Sequence, residues 1–264
     1  MGKTKKLAVL VGGTEGIGLA LAKECLSEGM DVVVASRSQK KQTSAVETLK
    51  SLASDGQIVE SQTIDITSFE GTRSVVEQVV EKYGAPDLLV NSAGIAHPRY
   101  IGDISESEID QMIDLNFRGT VYLCRHFVPY MEKKKSAQIL NVSSVAGYVG
   151  LFGYTTYCGS KSAVIAFTEA LREELIHTGV QVSILCPPNT KTPGLDKENK
   201  KKPKEVLATE EKVKVLEPEE VARYTMKKLS SGKFMIIPTM DSQLAFYLKR
   251  YAPFILRQFV KRPQ

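Results

Sequence analysis

The chain predicts an α/β fold: one domain on a doubly wound parallel sheet. Two observations predict it. Short apolar strands alternate with amphipathic helices along almost all of the 264 residues, the βαβ rhythm of a parallel sheet. Gly12, Ser36, Asp65, Asn91, Ser144 and Pro187 each fall just beyond an apolar run. That brings them together at the carboxyl edge of the sheet, where such folds bind ligands.

The first strand, Leu7 to Val11, is apolar throughout. It runs into Gly12-Gly13-Thr14-Glu15-Gly16-Ile17-Gly18 and then into a helical pattern through Leu19, Leu21, Ala22 and Cys25. Strand, glycine turn and helix in that order are the context of a dinucleotide-binding, Rossmann-like fold. A pyrophosphate needs free backbone N–H groups and the positive end of a helix. Glycines let the chain approach it with no Cβ in the way. Gly12, Thr14, Glu15, Gly16, Ile17 and Gly18 are therefore candidate cofactor contacts. The second strand, Asp31 to Ala35, ends in Ser36-Arg37, with Lys40 and Lys41 close behind. An acid at this point would bind the 2′-hydroxyl of NAD, whereas an Arg suits the 2′-phosphate of NADP. Ser36, Arg37 and Lys41 thus favour NADPH. Glu15 argues the other way, because a carboxylate near a 2′-phosphate is unfavourable.

The third strand is expected to close at Asp65-Ile66, and the fourth, Leu88 to Val90, leads into Asn91-Ser92-Ala93-Gly94. A long helix follows, from about Ser105 to Lys133. The fifth strand, Ile139 to Val142, opens into Ser143-Ser144, of which Ser143 better suits a turn or capping role. A second long helix spans about Thr155 to His177. The last two strands read at Val180 to Cys186 and Phe234 to Ile237.

Tyr157 and Lys161 open the second long helix. Their i, i+4 spacing places phenol and ammonium on one face. A nearby cation stabilises phenolate and lowers the phenol's pKa, which would make Tyr157 a proton donor to a carbonyl oxygen.

The turn is not G-x-G-x-x-G but G-x-x-x-G-x-G from Gly12, and Ser144 lies 13 residues before Tyr157. In these features, and in N-V-S-S-V-A-G at 141–147 and Y-C-G-S-K at 157–161, the chain resembles the short-chain dehydrogenase/reductase family over about residues 6 to 240. Val11 and Ser92 stand where that family usually has Thr and Asn. The resemblance implies a catalytic set of Asn116, Ser144, Tyr157 and Lys161. Tyr157 would protonate the ketone as hydride arrives from the nicotinamide, and Ser144 would hydrogen-bond the same oxygen. Lys161 would hold the nicotinamide ribose and keep the Tyr157 pKa low, and Asn116 would position a water. It also implies that Asp65, with Ile66, meets the adenine, and that Asn91, Ala93 and Gly94 border the same crevice. Pro187, Thr190 and Thr192 would meet the nicotinamide amide and pyrophosphate. Family members commonly pair their long helices, so a homodimer or homotetramer is expected. The runs P-P-N-T-K-T-P-G at 187–194 and G-L-F-G-Y at 150–154 resemble the 3-ketodihydrosphingosine reductase branch.

Composition bounds the rest. Hydrophobic content of 42% and charged content of 25% are ordinary for a globular domain. The net charge of +5 is small and concentrated around Lys200 to Lys204 and the chain end, which argues against a nucleic-acid partner. The four cysteines are scattered and have no ligand spacing with His97, His126 and His177, so no metal is expected. Cys25, Cys124 and Cys186 read as buried thiols, and Cys158 as lining the active site. No signal peptide is read before the first strand and no apolar run reaches 18 residues, so a cytoplasmic protein without a spanning helix is expected.

Residues 1–240 read as the catalytic domain, with a mobile, lysine-rich substrate lid near 194–216 that lacks an apolar period. Residues 241–264 form a basic, aromatic, roughly amphipathic tail interrupted by Pro253. It would suit peripheral contact with an anionic membrane, or packing on a partner subunit or over the cleft. The expected function is NADPH-dependent reduction of 3-ketosphinganine or a similar lipid ketone. The alternatives are another lipophilic ketone, such as a 3-oxoacyl thioester or a steroid, or a non-catalytic dinucleotide-binding scaffold.

Overall fold

Seven parallel strands run in the order β3-β2-β1-β4-β5-β6-β7 in the computed structural model, which describes residues 5–210 and 214–255. The strands are β1 (Leu7–Val11), β2 (Asp31–Ser36), β3 (Val59–Thr63), β4 (Leu88–Asn91), β5 (Ala137–Val142), β6 (Val180–Leu185) and β7 (Met235–Ile236). Helices α1 (Gly16–Ser27), α2 (Gln39–Lys50) and α9 (Pro218–Ser230) cover one face. Leu21, Cys25, Leu49, Val221 and Met226 are buried there against Leu10, Val34 and Leu140. Helices α3 (Phe69–Tyr83), α5 (Gly119–Met131) and α6 (Thr155–Glu174) cover the other. There Val76, Leu123, Phe127 and Leu171 meet Val9, Leu89 and Ile139. Strands buried on both faces must be apolar throughout, and β1 is buried at all five residues. The strand order reverses between β1 and β4, which opens a crevice at their carboxyl ends.

Four elements differ from the sequence reading. β3 stops at Thr63, before Asp65-Ile66. Asp65 Oδ1 accepts from the backbone N (3.1 Å) and hydroxyl (2.8 Å) of Thr67, and Ser68 caps α3, so the chain turns early. The first long helix is three pieces: α4 (Glu106–Met112), a π-helical turn (Ile113–Arg118) and α5. An inserted residue of this kind is invisible to apolar periodicity, and such turns are frequent at functional sites.

The lysine-rich stretch folds as two short helices, α7 (Pro193–Asn199) and α8 (Lys204–Glu210). Among the described residues of these two helices one apolar side chain is buried: Val206, 1% exposed, packs on Ala96 and Tyr154. A single anchor leaves no period to read. The tail begins as α10 (Met240–Tyr251), which ends at Ala252, the residue before Pro253. It is joined to the body: Phe246 packs edge-on against Tyr148, and Gln243 donates to the Ile237 carbonyl (2.9 Å). Leu256, Arg257, Phe259, Val260, Lys261 and Arg262 lie outside the described residues. Among those described, no helix is long and apolar enough to cross a membrane.

Candidate active site

A cleft of about 410 Å³ occupies the crevice. At one end is the glycine turn, fixed by backbone contacts. Gly12 has φ +81° and donates to the Ala35 carbonyl (2.8 Å), and a Cβ there would fall 2.5 Å from Ala93 N. A Cβ on Gly18 would fall 2.2 Å from Gly12 O, so Gly18 packs α1 onto the turn rather than lining the cleft. Val11 carries no hydroxyl to brace the turn; its carbonyl accepts from Ser92 N instead (2.8 Å). Helix α1 starts with no side chain capping its first N–H groups. Uncapped donors at a helix start are what a pyrophosphate satisfies, so the turn fits a dinucleotide.

Thr14, Glu15, Gly16, Ile17, Ser36, Arg37, Lys41, Ile66, Ala93 and Gly94 line the cleft with Gly12. Glu15 forms an ion pair with Lys41, while Arg37 makes no ion pair among the described residues. Two candidates point elsewhere. Asn91 is buried, with Nδ2 donating to Asn141 Oδ1 (2.8 Å). Asp65 is engaged with Thr67 and does not line the cleft.

At the other end Ser144, Tyr157 and Lys161 converge. Ser144 caps a 3₁₀ turn (Val145–Gly147) by accepting from Ala146 N (3.1 Å), and its hydroxyl is near enough to Tyr157 to favour the phenolate. The capping role expected of Ser143 thus belongs to Ser144. Ser143 instead donates to the Lys161 carbonyl (2.8 Å), tying β5 to α6. Lys161 Nζ donates to the Val142 carbonyl (3.0 Å) and lies 5.9 Å from the centre of the Tyr157 ring.

Asn116 sits fully buried in the π-helical turn. Its Oδ1 accepts from Ile95 N (2.8 Å), and its amide donates to Ile95 O (2.9 Å) and Ser160 Oγ (3.0 Å). It therefore clamps the β4 loop to α6. A Cβ on Gly94 would fall 3.1 Å from Lys161 Nζ and 3.3 Å from Asn116 Oδ1, so both residues border the same small space.

Pro187, Thr190 and Thr192 close the cleft from the β6 side. Thr190 bridges to Leu216, and Thr192 caps α7 by accepting from Leu195 N (3.1 Å) and packs over Gly16.

A family model for short chain dehydrogenases matches residues 6–203. The chain belongs to the short chain dehydrogenase family. It is accordingly an oxidoreductase, and its fold binds a nicotinamide dinucleotide. It is 35% identical to a 3-ketodihydrosphingosine reductase of Bos taurus over 86% of this chain and 69% of that protein. It is 32% identical to a 3-oxoacyl-(acyl-carrier-protein) reductase of Thermotoga maritima, over 83% of this chain and 87% of that one. A solved short chain dehydrogenase/reductase of Burkholderia phymatum, in complex with NAD, superposes with a TM-score of 0.84 at 25% identity, covering 98% and 96% of the two chains.

The electrostatics of this short chain dehydrogenase depart from expectation at Tyr157. The lysine was expected to hold the phenol pKa down. Burial instead pushes Tyr157 up, the Glu198 charge adds to this, and the Ser144 hydrogen bond opposes it. Burial brings Lys161 itself down to about 8, against smaller upward pulls from Cys186 and Glu198. Desolvation acts on both groups and disfavours either charge.

Cys158 also differs. Its sulfur accepts from Leu151 N (3.4 Å), facing the 149–151 backbone and not the cleft. Sequence reasoning missed Leu151, Tyr154, Leu195 and Glu198 as lining residues. Leu151 and Tyr154 belong to the G-L-F-G-Y run before Tyr157, which was noted for its resemblance and not as lining, and Leu195 and Glu198 to a short helix that no spacing marks.

Proposed function

We propose that this chain is an NADPH-dependent ketone reductase whose substrate is 3-ketosphinganine or a similar long-chain keto lipid. The observation that carries the reading is the meeting of Ser144, Tyr157 and Lys161 in one cleft, in a chain whose curated relatives include 3-ketodihydrosphingosine reductases. A non-catalytic scaffold has no need of that set. The apolar reaction end, with Ala96, Leu151, Tyr154 and Leu195, suits a lipophilic ketone.

NADPH is favoured over NADH because Glu15, the acid lining the cleft beside the glycine turn, is paired with Lys41, which leaves the exposed Arg37 for a 2′-phosphate. The glycine turn and the α1 start would hold the pyrophosphate, with Tyr157 and Lys161 at the nicotinamide ribose. When bound, the cofactor supplies the hydride. Tyr157 gives its proton to the ketone oxygen, and its half-buried, neutral state keeps that proton in place until charge develops. Ser144 donates to the same oxygen, where the negative charge grows. Lys161 carries its cation up to about pH 8 and stabilises the resulting phenolate. Asn116 holds the Ile95 loop against Ser160, and α7 and α8 form the lid.

NADPH oxidation with 3-ketosphinganine, an acetoacetyl thioester and a steroid ketone tests the reading. The first should turn over with the highest kcat/KM. Preference for the thioester would support the fatty-acyl reading, which the Thermotoga relative favours.

The tail reading is membrane contact. Met240, Leu244, Tyr247, Tyr251 and Phe254 are exposed on or just beyond α10 beside Lys249 and Arg250. Such a surface binds anionic bilayers through apolar area and cations together. Replacing Leu244, Tyr247 and Tyr251 by Ser together with Lys249 and Arg250 by Gln, which spares the Phe246 and Gln243 contacts, should abolish co-sedimentation with anionic vesicles. If full-length chain stays in the supernatant at low salt, the tail belongs to the protein's own surface or a partner subunit.

A further inference from the structure

Ser144 heads the 3₁₀ turn, and its Oγ accepts from Ala146 N (3.1 Å). Its own proton is thereby kept for the ketone oxygen, and the direction of that donor follows the direction of the turn. A single 3₁₀ turn has poorer hydrogen-bond geometry than an α-helix, so its orientation depends on what supports it. On the strand side, Val145 N donates to the Pro187 carbonyl (3.1 Å). On the α6 side, Ser162 Oγ donates to the Gly147 carbonyl (2.7 Å), and a Cβ on Gly147 would fall 2.7 Å from Ser143 Oγ. Both supports come from the elements that build the cleft.

A third support comes from the far end of the chain. Tyr148 closes the turn, its N–H donating to the Val145 carbonyl (3.1 Å). Its hydroxyl donates to the Ser242 carbonyl of α10 (3.0 Å), 94 residues on. Phe246, one helical turn further along α10, meets the Tyr148 ring edge-on with centroids 5.3 Å apart. The half-buried ring also packs in a cluster with Val164 of α6 and Cys186 just past β6. Burial pushes the phenol above its ordinary pKa, so it stays a neutral donor. Tyr148 does not line the cleft, and it can act on the reaction only through the turn.

We propose that Tyr148 is a positioning residue: anchored on α10, it fixes the turn that aims the Ser144 hydroxyl at the ketone oxygen. Helix α10 then supports the reaction from behind, whatever its outer face meets. This rests on the reductase reading, which gives Ser144 its role, and extends it to a residue and a helix outside the cleft. The aim matters because a donor stabilises the oxyanion only at hydrogen-bond distance from the growing charge. A misplacement of about 1 Å can cost about 10²-fold in rate.

The test is a double-substitution cycle, run with NADPH and the best-reduced ketone of the panel. Ser144→Ala alone should lower kcat about 10²–10³-fold. Tyr148→Phe keeps the ring and removes the bond to Ser242. It should lower kcat about three- to tenfold where Ser144 is present, with KM and the NADPH Kd unchanged. In the Ser144→Ala background it should have no further effect, because no hydroxyl remains to be aimed. If Tyr148→Phe does not fold, Phe246→Leu, which loosens the same contact from the α10 side, carries the cycle instead. Wild-type kcat in the single variant overturns the assignment. So does an equal loss in both backgrounds, which marks a general loosening of the fold. If Ser144→Ala itself turns over at the wild-type rate, the reductase reading of the site fails and this assignment fails with it.

Discussion

The two ends of the cleft are held by different kinds of contact. At the nucleotide end the chain touches itself through backbone: Gly12 N on Ala35 O, Ser92 N on Val11 O, and Gly18 against the Gly12 carbonyl. At the substrate end, α7 and α8 are held by side chains that reach across long stretches of sequence. Arg99 Nη1 donates to the Lys201 carbonyl (2.7 Å), the Tyr100 hydroxyl to Glu205, and Val206 fills the space over Gly153. Backbone contacts leave little to adjust, which suits a ligand whose pyrophosphate does not vary. Side-chain contacts can be exchanged residue by residue and released at lower free energy, which suits a cover that must open for substrate. Tyr157 and Lys161 stand at the seam, where neither kind of contact is spare.

The sharpest separation of the two ends comes from the seam. Tyr157→Phe keeps the ring and removes the proton donor, so kcat should fall about 10²–10⁴-fold. NADPH binding, which belongs to the backbone-built end, should survive. Fluorescence titration of the cofactor beside single-turnover kinetics measures both, and retained turnover would remove Tyr157 from the chemistry.

A pair of glycine substitutions asks whether the ends are independent. In Gly18→Ala the added carbon meets backbone, which cannot give, and overpacking costs typically 1–3 kcal/mol. NADPH affinity should drop about tenfold to a hundredfold. In Gly153→Ala the added carbon lies 2.5 Å from Val206 Cγ2, at a residue with φ +77°. Substrate KM should rise while the cofactor Kd holds. If both variants shift both constants equally, the ends move as one body and the contrast is wrong.

The same contrast explains what the sequence made legible. Strand, glycine turn and helix are local, so the turn from Gly12 could be read directly, as could Tyr157 and Lys161 at their i, i+4 spacing, while Ser144 came through the family resemblance. The π-helical turn at Asn116 could not, because one inserted residue leaves the apolar stripe almost undisturbed. Asn91 and Asp65 were placed by motif, but their side chains are taken by neighbours, Asn141 and Thr67, that no motif names. Val206 and Glu198 lie in a lysine-rich run whose composition suggests solvent. Distant residues seat this run, Ala96 and Tyr154 at Val206 and Arg99 at the Lys201 carbonyl, and such pairings exist only after folding.

A smaller effect sharpens the nucleotide end alone. Arg37 supplies its contribution through an exposed side chain, unlike the backbone around it. Arg37→Ala should cost about tenfold in NADPH affinity and little for NADH, the worth of a charge-assisted bond. Equal losses for both cofactors would show that Arg37 supports the strand end instead of a 2′-phosphate.

A further effect concerns stability, not activity, and returns to the seam. Lys161 is 4% exposed, and burial lowers its pKa from 10.5 to about 8. Below pH 8 the lysine carries its proton in both folded and unfolded chains, so the cost of burying the charge is fully present. Between about pH 8 and 10.5 the unfolded chain keeps a proton that the folded chain has lost, and stability from this group rises with pH. Lys161→Met keeps the length and has no charge to bury. It also takes a donor from the Val142 carbonyl, a loss of about 1–3 kcal/mol that does not depend on pH. The sign of the difference at neutral pH is therefore a close contest, whereas its slope is not. Wild type should gain on the variant by about 3 kcal/mol between pH 8 and 10.5, several degrees in thermal midpoint, while the variant stays inactive throughout. Parallel melting curves from pH 7 to 10 decide it. A constant gap would mean that Lys161 is not held against its burial, and that the fold concedes nothing in stability to keep a cation beside Tyr157.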